Sequence, residues 1–186
     1  MSLVLASASA RRRDLLAAAG IGFIVDPANA DERPRPGEAP RDYALRVAKD
    51  KVRLTRPRHP AAAVLAADTI VVVDGDILGK PASPDEARRM LARLSGRAHE
   101  VVTAVALAWP GGERAFLETT EVRFHAIETS AIEHYVATGE PLDKAGAYAI
   151  QGGASAFVAA ISGSHSNVVG LPVEATMALL REAGVG

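Results

Sequence analysis

The sequence predicts an α/β fold, a single domain over residues 1–186 with a central mixed β-sheet flanked by helices and a cleft at strand ends. Three observations carry this. Short apolar runs alternate with helical stretches through the first half of the chain. Two long β runs, EVVTAVALAW and RAFLETTEVRFHAI, follow in the second half around Pro110-Gly111-Gly112. A length of 186 residues, 48% of them hydrophobic, is enough to bury a core without covalent staples.

The elements follow in order. SLVLA (2–6) is a short strand. A helix is predicted from about Ala10 to Ala19, with Ser9 as N-cap and Gly20 past its end. IGFIV (21–25) is a second strand, and the polar loop DPANADERPRPGEAP leads to a helix from about Arg41 to Thr55. AAAVLAADTIVVVDGDILGKP reads as an apolar strand, a second β run and a hairpin at Asp74-Gly75. SPDEARRMLARLSG is the clearest helix: Ser83 caps it, Pro84 occupies its first position, Glu86 completes a capping box and Gly96 stops it. Residues 130–138 form a short helix ended by Gly139. AYAIQG and AFVAAISG read as strands, and PVEATMALLREAG closes the chain as a helix.

Composition excludes several kinds of chemistry. Without cysteine there is no disulfide, thiolate metal site or cysteine nucleophile. A net charge of −1 argues against a nucleic-acid partner, which needs a basic face. No apolar run approaches a membrane span and the start lacks the apolar core of a secretory signal, so the chain is expected to be cytoplasmic, with no membrane partner. LGKP lacks the earlier glycine and the Ser/Thr of a phosphate-binding P-loop. SGSHSN is not a nucleophile elbow. The histidines at 59, 99, 125, 134 and 165 show no ligand spacing and read as structural or surface residues.

The stretch SASARRR poses an electrostatic question. Three arginines open a helix, where the macrodipole is already positive. At about 100° per residue, with Leu15 at zero, Arg11 falls at about 320° and Arg12 at about 60°, both on the apolar stripe. Arg13 falls at about 160°, off it. Solvated surface arginines are one explanation. Inward arginines, free helix N–H groups and the hydroxyls of Ser7 and Ser9 together suit a polyphosphate. In the second helix Lys51 falls at about 340° from Ala44, again inside the apolar stripe. It snorkels, pairs with a carboxylate or reaches a ligand.

Asp68-Thr69 is embedded in nearly unbroken apolar sequence. Asp68 is either a turn residue that breaks one strand into two, or a carboxylate at a strand end serving as general base or magnesium ligand. Asp31-Glu32, after the second strand, offers a further acidic site. Carboxylates beside phosphate-binding cations are the usual set for metal-assisted phosphate chemistry.

LASASARR, the DER loop, LRVAKDKV, AADTIVVVDGDILGKP, LSGRAHEVVTAVAL, GEPLDKAGAYAIQG and NVVGLPV, in this order, resemble the Maf family of nucleoside triphosphate pyrophosphatases, historically linked to septum inhibition. The resemblance implies an architecture shared with inosine triphosphate pyrophosphatases, often dimeric. It implies cleavage between the α and β phosphates with a divalent cation, Mg²⁺ or Mn²⁺. By the same resemblance Asp68 is the general base and, with Glu32, a metal ligand, while Ser7, Arg12, Lys51 and Lys80 line the phosphates. Arg11, Thr69 and Gln151 match the positions that distinguish subfamilies, and this trio resembles the branch acting on dTTP, UTP and modified pyrimidine triphosphates. The alternatives are a pyrophosphatase for 7-methyl-GTP or another non-standard nucleotide, and a nucleotide-binding regulator of septum formation. Ala10 stands where the family usually has proline, which implies a slightly less rigid loop.

Overall fold

The computed structural model describes residues 1–185, which fall into two compact units. The first comprises residues 1–69, 103–118 and those from Gly170 onward; the second comprises Ile70–Val102 and Thr119–Val169. Strands β3 (Ala63–Val73), β5 (Ala98–Trp109) and β6 (Gly112–Phe124) run through both.

In the first unit β1 (Leu3–Leu5) pairs in parallel with β2 (Phe23–Val25) on one side and with the start of β3 on the other. The helices α1 (Ala10–Ala18) and α2 (Pro40–Thr55) make the two crossovers that parallel pairing requires. Odd-numbered strand residues Leu3, Leu5, Ala63, Leu65, Ala67, Val105 and Leu107 form one core with Leu16 of α1 and with Leu179 and Leu180 of the last helix, α6 (Val173–Glu182). Period-two alternation sends the even-numbered residues to the opposite face. The N-cap is as expected: Ser9 accepts a hydrogen bond from the Arg12 N–H at 3.4 Å, and Gly20 takes φ +77° past the helix.

The apolar run around Asp68 is one uninterrupted eleven-residue strand, so Asp68 is neither a turn residue nor at the end of its strand. β1 is the strand that ends there. Its last ladder bond runs from the Ala6 N–H to the Leu65 carbonyl (2.8 Å), and β3 continues well beyond Leu65, to Val73.

In the second unit β3 turns into β4 (Asp76–Leu78) through Asp74 and Gly75, both at positive φ (54° and 81°), the two-residue turn that matches strand twist. α3 (Pro84–Leu94) is capped by Ser83, whose hydroxyl accepts from the Glu86 N–H at 3.2 Å. The Glu86 carboxylate reaches the Ala82 N–H, one residue before the capping-box position. After α4 (Thr129–Ala137), AYAIQG is not a strand. Gly146 and Ala147 have φ +69° and +60°, and 3₁₀ turns lie on both sides. Within this stretch Ala147 donates to the Lys144 carbonyl (3.1 Å), Ala149 to the Tyr135 hydroxyl (3.0 Å) and Gly152 to the Ala149 carbonyl (3.0 Å), and Gly153 just beyond it donates to the Glu140 carboxylate (2.9 Å). The unbroken apolar run Ala147–Ile150 reflects burial of all four residues, not a ladder. β7 (Val158–Ser162) pairs antiparallel with β6. SGSHSN opens a five-residue helix, α5 (His165–Val169). Its Asn167 donates to the Val101 carbonyl (3.1 Å) and the Thr120 hydroxyl (3.0 Å), a structural role.

His99 is 3% exposed, stacks edge-on against Phe124 and Tyr148, and shares a 2.8 Å hydrogen bond with the Tyr148 hydroxyl. Burial holds its pKa down to about 4. The folded state therefore refuses a proton that the unfolded chain takes up from about pH 6.5 downward. Stability should fall as the pH drops from about 6.5 to about 4, by about 3 kcal/mol from this group. Urea titrations of wild type and His99→Gln across that window isolate the contribution: the acid-induced loss should be smaller in the variant.

Candidate active site

The carboxyl end of β1 gathers six of the expected residues, all in the first unit. Adjacent residues of β3 face opposite ways, so Thr69 meets α1 and Asp68 meets α2. This pleat divides the site into two clusters, one on each side of β3.

On the α1 side Arg12 is the organiser. Only 9% exposed, it donates from Nε to the Gly170 carbonyl (2.8 Å), from Nη1 to the Ser7 hydroxyl (3.1 Å) and from Nη2 to the Thr69 hydroxyl (3.0 Å). A guanidinium carries five N–H groups, so one hydrogen on each Nη is unused by these bonds. Burial pushes its pKa below the usual arginine value, and the Asp68 charge opposes that shift. Ser7 is buried, accepts from the Ser9 N–H (3.3 Å), and is thereby locked to the helix start. Thr69 also shares a hydrogen bond with Thr103 (2.9 Å). Arg11 is half-buried and, among the described residues, makes no hydrogen bond or ion pair; Arg13 is exposed.

On the α2 side Lys51, 6% exposed, lies between two carboxylates. Its Nζ is 2.8 Å from Asp68 Oδ1 and 2.8 Å from Glu32 Oε1, with the Ala67 carbonyl at 3.5 Å. Of the three explanations for its inward aim, carboxylate pairing describes this structure. Asp68 is 8% exposed, and its Oδ2 has no hydrogen-bond partner among the described residues. The Glu32 side chain is 51% exposed.

Sequence reasoning missed what holds Glu32 there. Tyr43 donates its hydroxyl to the Glu32 carbonyl (2.7 Å), and Arg46 donates to the carbonyls of Asp31 (3.3 Å) and Arg33 (3.1 Å). Three consecutive carbonyls of the DER loop are thus tied to α2, the helix that carries Lys51. Arg46 also forks onto Glu38 (2.6 and 2.9 Å), holding that carboxyl down to about 2. Burial, with the charges of Asp68 and Glu32, pushes the Tyr43 hydroxyl up to about 12, so it stays a donor. The available signal was spacing: Tyr43 lies about two turns before Lys51 on α2, and Arg46 lies between them.

Lys80 and Gln151 belong to the second unit, and both are exposed. Lys80 follows β4 and lines an open groove with Ile77, Leu78, Glu86, Arg89 and Met90. Gln151 is in the turn between Ala149 and Gly153 described above. Among the described residues no cluster of three or more His, Asp or Glu side chains is placed to hold a metal, and no helix is long and apolar enough to cross a membrane.

A buried guanidinium forked onto two hydroxyls and a carbonyl, and a buried ammonium set between two carboxylates, thus share the carboxyl end of β1 in an α/β protein with a mixed sheet. The chain belongs to the Maf-like protein family, whose profile matches residues 2–183. It is 55% identical over 186 residues to the dTTP/UTP pyrophosphatase of Anaeromyxobacter dehalogenans (strain 2CP-1 / ATCC BAA-258), covering 98% of this chain and 94% of that protein. It is 52% identical over 183 residues to the dTTP/UTP pyrophosphatase of Myxococcus xanthus (strain DK1622), covering 98% and 93%. Among solved structures it is similar to a nucleoside-triphosphatase / dITP/XTP pyrophosphatase from Mycobacterium abscessus, with TM-score 0.43 and 22% identity over 67% of this chain and 74% of that one.

Proposed function

We propose that this protein hydrolyses dTTP and UTP to the nucleoside monophosphate and pyrophosphate. The observation that carries this is the bridge Glu32–Lys51–Asp68 beside the Ser7–Arg12–Thr69 cradle: cations for phosphates and carboxylates for chemistry within one site. The full-length likeness to proteins named dTTP/UTP pyrophosphatase supports the substrate class.

Two carboxylates fit Mg²⁺, which commonly takes one or two from the protein and completes its shell with phosphate oxygens and water. Mn²⁺ suits the same oxygen donors. Glu32 and Asp68 would hold the ion, and when bound it supplies neutralisation of the charge on the leaving pyrophosphate. Asp68 accepts a proton at Oδ2 from a water whose oxygen attacks the α phosphorus. The bond from that phosphorus to the bridging oxygen breaks, and pyrophosphate leaves against Arg12 and Lys51, with Ser7 as a further phosphate contact. Arg11 and Thr69 position the nucleotide; for Lys80 as a phosphate contact and Gln151 as a specificity residue the family resemblance is the support. Cytoplasmic placement and a homodimer belong to the same reading, to be checked by cell fractionation and analytical ultracentrifugation.

The test is pyrophosphate release by the purified protein with Mg²⁺ across dTTP, UTP, CTP, GTP, inosine triphosphate and 7-methyl-GTP. Turnover concentrated on dTTP and UTP is the expected result. Preference for 7-methyl-GTP would overturn the assignment of Arg11, Thr69 and Gln151. Absence of turnover with every nucleotide would overturn the enzymatic reading and point to a regulator.

A further inference from the structure

We infer that Lys51 is a built-in counter-ion that occupies the cation position between Glu32 and Asp68 in the nucleotide-free protein, so that the protein takes up its divalent cation together with the triphosphate rather than before it. The inference rests on the pyrophosphatase reading above and gives Lys51 a second task in that site.

The geometry is that of a filled position. The ammonium has three N–H donors, and it meets three acceptors: Glu32 Oε1 and Asp68 Oδ1, both at 2.8 Å, and the Ala67 carbonyl at 3.5 Å. The two carboxylates are thus drawn onto one positive centre, and no third acidic or imidazole ligand stands by among the described residues. A divalent ion could share Glu32 and Asp68 only if Lys51 withdrew, because like charges at this separation in a poorly solvated site repel strongly. Lys51 is itself buried, so its charge is weakly screened.

The contact is not a chance meeting with a loose loop. Tyr43 and Arg46 fasten the backbone on both sides of Glu32 to α2, and Lys51 rises from that same helix further on. One element therefore presents the ammonium and sets the acid against it. What releases Lys51 is a better set of acceptors. The oxygens of a triphosphate carry more negative charge than the two carboxylates, and the flexible four-carbon stem of Lys51 can swing toward them, whereas the rigid fork of Arg12 stays held by Ser7, Thr69 and Gly170 and offers phosphate its two unused Nη hydrogens. As Lys51 moves to phosphate, Glu32 and Asp68 lose the ammonium charge set between them, and cation affinity appears when there is substrate to use it.

The test is Mn²⁺ binding to the full-length protein without nucleotide, followed by the electron paramagnetic resonance signal of the free ion, in wild type and Lys51→Met. The variant should bind Mn²⁺ at least about tenfold more tightly than wild type, and Mn²⁺ should raise the melting temperature of the variant and not of wild type. Equal or weaker binding by a folded Lys51→Met overturns the inference. Should Lys51→Met not fold, wild type decides: stoichiometric uptake of Mn²⁺ alone, lost in Asp68→Asn, overturns it, and failure to take up Mn²⁺ alone upholds it. A protein that hydrolyses no nucleotide but gains Mn²⁺ affinity in Lys51→Met would refute the proposed function and uphold the counter-ion.

Discussion

Replacing Asp68 with asparagine is expected to lower pyrophosphate release from the preferred nucleotide by about 10²–10⁴-fold, the usual contribution of a positioned general base. The fold should survive. The substituted amide keeps the shape of the side chain, and its oxygen still accepts from Lys51, so the buried ammonium is not stranded. What disappears is the negative charge and the proton-accepting Oδ2, the oxygen not engaged by Lys51. Loss confined to kcat, with an unchanged circular dichroism spectrum, is the outcome that matches the role. A variant with wild-type kcat would remove Asp68 from the chemistry.

Arg12→Ala should damage stability and binding together. Three protein acceptors lose their donor at once, and the Gly170 carbonyl and Ser7 hydroxyl are buried or nearly so. A loss of about 2–4 kcal/mol is expected from stranded buried partners. For a chain of this size that corresponds to a melting temperature lower by about 4–16 °C. Arg12→Lys separates the two effects. It keeps the charge and can satisfy one of the three acceptors, so part of the stability returns. The fork is gone, however, and with it the pair of Nη hydrogens left for a phosphate. In Arg12→Lys kcat/KM should fall by about 10–100-fold, the worth of one charge-assisted contact, mainly through KM. Calorimetry and initial rates on the two variants check both parts. Wild-type KM in Arg12→Lys would mean that Arg12 only braces Ser7 and Thr69.

Helical periodicity turned Arg11, Arg12 and Lys51 inward, because an amphipathic stripe is a local property; Arg12 and Lys51 are buried, whereas Arg11 is only half-buried. The caps at Ser9 and Ser83 and the turn at Asp74-Gly75 were legible for the same reason: each is settled by hydrogen bonds or dihedral preferences within a few residues. AYAIQG misled because an apolar run records burial, and a buried segment whose N–H groups are met by Tyr135 and by turn carbonyls looks in sequence like a strand. Nothing in the order of residues says that Glu38, in the polar loop, meets Arg46 of α2.

By itself the sequence determined most of the elements, the caps at Ser9 and Ser83, the inward aim of Arg12 and Lys51 and, through its motifs, the family to which the chain belongs. Tertiary structure alone decided who meets whom. It ran β3 straight through Asp68 and ended β1 at Leu5. It sent Asp68 to α2 and Thr69 to α1, and it set Lys51 between Glu32 and Asp68 rather than in solvent. The reason is physical. Caps and stripes are short-range, whereas ion pairs between a loop, a helix and a strand exist only once strand register and helix packing have brought their members to 2.8 Å.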